Sequence, residues 1–195
     1  HYKNSKEEAM ELQKEIGAEI IYGDFSSQEG IMSFVQEYKK RFPKTEGLIH
    51  NASHYLFGSF TEAPMDKGLM QWNTDFLTAL ILARELSSSL KNIIFLGIAG
   101  IMHSLSDTRT SFYTLSKLNL LMLTKSLAKE LAPKHVRVNM ISPGYLEDSI
   151  DQPKSLPMQR PAKWFEIVEA VLFLLDPKNS YITGQNLEIA GGVRL

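Results

Sequence analysis

Short apolar runs alternate along this chain with amphipathic stretches of ten or more residues, and that alternation is its strongest constraint. The apolar runs are Glu19–Tyr22, Glu46–His50, Asn92–Leu96, Val136–Ile141 and Asn186–Ala190. Between them lie helical patterns over Lys6–Ile16, Gln28–Phe42, Asp66–Leu90, Ser111–Leu131 and Ala162–Leu175. Ser5 stands where an N-cap belongs, Gly17 where a helix stops, and Pro43 closes the second helix. Runs such as Asn-Ile-Ile-Phe-Leu have no polar side, so they predict strands covered on both faces. Strands of that kind, separated by helices, predict a doubly wound α/β fold: one domain over residues 1–195, a parallel sheet with helices on both faces. In such sheets ligands bind beyond the carboxyl ends of the strands. Those ends fall near Asp24, Asn51, Gly97 and Pro143. Residues 145–161 are polar and proline-containing with no element pattern.

With 195 residues the chain can bury one substantial core. Its net charge is −1 with no block of one sign, which argues against a nucleic-acid or membrane-surface role. No apolar run approaches the length of a membrane span. There is no cysteine, which excludes disulfides, thiolate metal ligands and a thiol nucleophile, and suits a cytoplasmic setting. No metal site is expected.

One pair stands out chemically. Tyr113 and Lys117 are four apart at the start of the Ser111–Leu131 pattern, so a helix puts them on one face. A neighbouring ammonium favours phenolate and lowers a tyrosine from its ordinary pKa of about 10. Such a phenol can give or take a proton near neutral pH. Taken alone, Y-x-x-x-K is equally a surface tyrosine beside a solvated lysine.

Taken in order with its neighbours, the pair resembles that of the short-chain dehydrogenase/reductase family, and the resemblance spans nearly the whole chain. Asp24, Asn51-Ala52-Ser53, Asn73 in Trp-Asn-Thr-Asp, Tyr113 with Lys117, Pro143-Gly144, Ile182-Thr-Gly-Gln-Asn186 and Gly191-Gly192 follow the family order. The resemblance implies a Rossmann-like fold and an NAD(P)(H)-dependent oxidoreductase. It implies that Tyr113 is the proton donor, that Lys117 holds the nicotinamide ribose, and that Asn73 helps hold a relay water. Cofactor contacts are implied for Asp24 with Phe25 at the adenine, Asn51, Ala52 and Ser53 beside the ribose, and Pro143-Gly144 below the nicotinamide. The second family strand would end at Lys3-Asn4-Ser5. An acid there marks NAD-preferring members; a cation with a hydroxyl suits a 2′-phosphate, so NADP(H) is expected over NAD(H).

The chain also departs from the family. The resemblance implies an opening strand and a glycine-rich loop, Thr-Gly-x-x-x-Gly-x-Gly, of roughly 30 to 35 residues ahead of His1. Residues 145–161 stand where the family carries a substrate lid, and they are short for one. The family serine that polarises the substrate reads here as Gly97, with Ser104, Ser106, Ser111 or Asp107 as substitute donors. His50-Asn-Ala-Ser53, Tyr22-Gly-Asp-Phe-Ser-Ser27 and Lys154-Ser-Leu-Pro-Met158 resemble pteridine and dihydromonapterin reductases. Asn139-Met-Ile-Ser-Pro-Gly144 and Tyr181-Ile-Thr-Gly-Gln185 resemble 3-oxoacyl-carrier-protein reductases. The expected substrate is therefore a small molecule, a pteridine first and a 3-oxoacyl group second. Tyr55, Phe57, Trp164 and Phe165 are candidate pocket rings. Gly97 also leaves open a catalytically silent nucleotide-binding or oligomer-forming member. Apolar surface on helices 66–90 and 111–131 predicts a homodimer or homotetramer built through them.

Overall fold

In the computed structural model, which describes residues 1–103 and 106–193, four strands form one parallel sheet in the order β1-β2-β3-β4. They are β1 Gly47–His50, β2 Asn92–Leu96, β3 Arg137–Pro143 and β4 Asn186–Ile189. Register runs from Gly47 opposite Asn92, through Asn92 opposite Arg137, to Met140 opposite Asn186. The helices are α1 Lys6–Ile16, α2 Gln28–Arg41, α3 Met65–Trp72, α4 Thr78–Leu86, α5 Ser111–Leu131 and α6 Trp164–Leu175. The sheet is covered on both faces, as expected. On one side Phe95, Val138 and Met140 pack with Ala79, Leu82, Leu120 and Leu121 of α4 and α5. On the other, Ile94 and Ile141 meet Ile167, Ala170 and Leu174 of α6. Six of the seven residues of β3 are buried, the polar Arg137, Asn139 and Ser142 among them.

Three elements differ from expectation. Glu19–Tyr22 is not a strand; it makes a single parallel bridge, Tyr22 with Tyr2. Its other side borders a cleft of about 610 Å³, lined by Ile21, Phe25 and Leu48, so no ladder extends it. Ser5 makes no side-chain cap on α1, whereas Ser27 caps α2 by accepting from the Gly30 N–H at 3.2 Å. Gly17 ends α1 in the left-handed region at φ 68°. The long helix expected over 66–90 is α3 and α4 joined by one π turn, Asn73–Leu77. The Asn73 carbonyl accepts from the Thr78 N–H across the wide turn and also from Thr78 Oγ1 at 2.8 Å.

Beyond β3 the chain forms a loop whose ends meet in a single bridge between Leu146 and Ala162. There the Ala162 N–H donates to the Tyr145 carbonyl and the Glu147 N–H to the Ala162 carbonyl. Residues between them form turns and no helix or strand. Arg109 ties the loop to the segment before α5 through Asp151, at 2.6 Å. Buried Arg137 donates to the carbonyls of Leu174, Leu175 and Asn179, closing the carboxyl end of α6.

Candidate active site

The carboxyl ends of β1, β2 and β3 open on a cleft of about 660 Å³. Asn51 and Ser53 reach it from β1, Gly97, Ile98 and Ala99 from β2, and Pro143 and Gly144 from β3. Tyr113 and Lys117 form one wall. Ile150 from the 145–161 loop and Trp164, Val168 and Val171 of α6 form the other. The lining is mostly apolar, so a bound molecule here loses water and polar contacts inside it strengthen.

Helix α5 delivers the pair as its spacing predicts. The Lys117 Nζ lies 5.3 Å from the centre of the Tyr113 ring. The lysine is almost wholly buried and donates to the Leu96 carbonyl at 3.1 Å. It lies 3.4 Å from Asp75 Oδ2. Burial pushes the Lys117 ammonium down, and the Asp75 carboxylate opposes that shift. An ammonium has three protons. One goes to Leu96 and one faces Asp75, which leaves the third for hydroxyls of a ligand.

Of the residues read from the sequence, Asn51, Ser53, Tyr113, Lys117, Pro143 and Gly144 come together here. Others do not. Asn73 points away: its Nδ2 donates to the Ser26 carbonyl at 2.7 Å. Asp75, two residues on and on the opposite side of the helix, meets α5 instead. Phe25 is a core residue, stacked on His1 at 4.0 Å and edge-on to Phe34. Ala52 packs against the core. Asn4 and Ser5 are exposed. Lys3 and Asp24 pair with each other at 2.6 Å, outside this cleft. Lys3 and the Ser26 N–H hold the Asp24 carboxyl down at about 2.

The substitute donors also change. Ser106 is exposed, and Ser111 donates to the Asp107 carbonyl. Asp107 accepts from the N–H groups of Arg109 and Thr110 and from the Thr110 and Thr114 hydroxyls. It therefore organises the start of α5. Ser104 lies outside the described residues. None of the other three lines the cleft. Gly97 has a packing reason to be glycine. A Cβ there would overlap the Met140 methyl and lie 2.5 Å from Ser142 Oγ. Of the candidate rings, Tyr55 and Trp164 line the cleft, while Phe57 packs on Tyr55 at 4.7 Å and Phe165 faces outward. Asp75 was not foreseen. Trp72-Asn-Thr-Asp75 contains it, but only the contact between the π turn and α5 shows what it faces.

Residues 1–194 match the family model described as Enoyl-(Acyl carrier protein) reductase. The chain belongs to the short-chain dehydrogenase/reductase family. Among relatives of this family, the 3-oxoacyl-[acyl-carrier-protein] reductase FabG of Chlamydia pneumoniae is 26% identical over 202 residues, covering 91% of this chain and 78% of that protein. A short-chain dehydrogenase from Burkholderia cenocepacia, solved in complex with NADP, superposes with a TM-score of 0.87 at 21% identity, covering 100% of this chain and 86% of that one. A blue fluorescent protein from a metagenomic library, solved in complex with NADPH, gives 0.89 at 22% identity with the same coverages.

The dinucleotide that the family implies fits the residues present. The cleft lies at the strand ends, Gly144 lets the backbone turn tightly against Ala190, and a buried ammonium with a proton to spare stands in its wall.

Proposed function

We propose that this protein is an NADPH-dependent reductase of a small molecule, with Tyr113 as proton donor and a pteridine as the preferred substrate. The observation that carries this reading is the placement of Tyr113 over buried Lys117 at the mouth of β2 and β3. Lys117 would hold the nicotinamide ribose with its free proton, while Asn51 and Ser53 would flank the adenosine side. Pro143 and Gly144 would form the floor under the nicotinamide. Lys3 supports the preference for NADPH, since a 2′-phosphate would compete with Asp24 for its ammonium. Bound NADPH supplies a hydride.

The chain's own residues do the rest. Ile98, Ile150, Val168 and Val171 exclude water. Tyr113 passes its phenolic proton to the substrate heteroatom while the adjacent carbon is reduced, and Lys117 stabilises the phenolate that remains. Tyr55 and Trp164 offer flat faces to a bicyclic ring. A second reading, reduction of a 3-oxoacyl thioester, is favoured by the name of the Chlamydia relative. Residues 145–161 would cover the substrate from above. The same reading places the enzyme in the cytoplasm as a homodimer or homotetramer. Met65, Leu69, Leu115 and Met122, exposed on α3 and α5, supply the apolar contact.

NADPH oxidation with dihydrobiopterin and with an acetoacetyl thioester tests this. Turnover with the pterin is expected, and Tyr113→Phe should lower kcat by about 10²–10⁴ with NADPH binding retained. Faster turnover of the thioester selects the second reading. NADPH binding with no turnover of either points to a silent subunit.

A further inference from the structure

Asp75 has no exposed surface and sits in the π turn between α3 and α4. Its Oδ2 accepts from Gln71 Nε2 at 2.7 Å and Ser116 Oγ at 2.8 Å, and faces Lys117 Nζ at 3.4 Å. Its Oδ1 is buried without a hydrogen-bond partner. Its main-chain carbonyl accepts from His50 Nε2 at 2.9 Å.

Gln71 and Ser116 are neutral donors. An asparagine at this position would accept from both equally well, so packing alone does not call for a carboxylate. What the carboxylate adds is charge, and charge buried without a counter-ion is strongly destabilising. Lys117 is in the same position with the opposite sign: its side chain is 5% exposed. His50, facing it from β1, is held neutral because burial pushes its pKa down to about 4. Tyr113, on the same helix, is the proton donor. β2 contributes only the Leu96 carbonyl. Among the described residues Asp75 is thus the anion that answers this cation.

We propose that Asp75 is a positioning residue of this site, the buried counter-ion that anchors Lys117 beneath Tyr113 and keeps its ammonium charged. Its consequence for turnover rests on the reductase reading; the state of the ion pair does not. Without the carboxylate, burial acts on Lys117 unopposed, and the lysine gives up its proton at lower pH.

The test is a carbon-13 titration of lysine Cε resonances in the whole protein, with the Lys117 signal assigned by its loss in Lys117→Met. Wild-type Lys117 is expected to stay charged through neutral pH. In Asp75→Asn its midpoint should fall by at least about one pH unit, and the alkaline limb of kcat should fall with it. An unchanged Lys117 midpoint in Asp75→Asn overturns the proposal, as does a wild-type Lys117 already neutral at about pH 7. If Asp75→Asn does not fold, the wild-type midpoint decides. If neither substrate turns over, the reductase reading fails while the titration still judges the ion pair.

Discussion

The ring of Tyr55 stands edge-on to the ring of Tyr113, with centroids 4.9 Å apart and planes at 79°. Phe57 also packs edge-on against Tyr55. The phenol is therefore braced from β1's loop as well as carried by α5, and its direction is set by two segments far apart in sequence.

Removing that brace should loosen the phenol without abolishing it. Tyr55→Ala deletes an edge-to-face contact worth about 0.5–1.5 kcal/mol and a wall of the cleft. The expected outcome is a raised KM for the organic substrate, a several-fold lower kcat, and an unchanged Kd for NADPH. Steady-state kinetics and fluorescence titration with NADPH check this.

Restoring the family serine should not restore a donor. In Gly97→Ser the new Cβ is driven into Met140 and toward Ser142. Overpacking of this kind costs about 1–3 kcal/mol. Urea unfolding should show the loss, and kcat should not rise. A stable variant with higher kcat would show that the site lacks a hydroxyl that this position can supply.

Stability should fall as the solution is acidified from about pH 6.5 to 4. His50 is buried neutral, and its pKa is lowered from 6.5 to about 4, chiefly by burial. The unfolded chain binds that proton first, so the contribution of His50 is complete above pH 6.5 and is lost as pH falls toward about 4. His50→Gln should flatten this part of the profile while keeping a donor to the Asp75 carbonyl. Urea midpoints at several pH values read it directly.

The ion pair between Arg109 and Asp151 joins two surface loops, and both side chains are well exposed. Its contribution to global stability should be under about 1 kcal/mol. Its effect on the substrate should be larger, because it holds the 145–161 loop beside the cleft. Arg109→Ala is expected to leave the melting temperature within a few degrees and raise the substrate KM, more at low salt than at high salt.

The helices and all four strands were legible along the chain because each obeys a local rule. The run Ile93–Leu96 is apolar on both faces, and the spacing of Tyr113 and Lys117 is a property of any α-helix. Glu19–Tyr22 shows the limit of such reading, since a strand exists only where a neighbour completes its ladder. Asn73 and Phe25 were matched by order along the chain, but side-chain direction depends on helix phase and packing. Asn73 meets Ser26 on one side of its helix, and Asp75 meets Lys117 on the other.

Local pattern thus determined the elements and the pairing of phenol with ammonium, because each depends on residues no more than a few positions apart. Tertiary structure decided which groups surround that pair. It placed Asp75 against Lys117 and filled the space beside Gly97 with Met140 and Ser142. Those relationships join residues separated by tens of positions. They are set by how the helices pack on the sheet, and burial then gives each charge its weight.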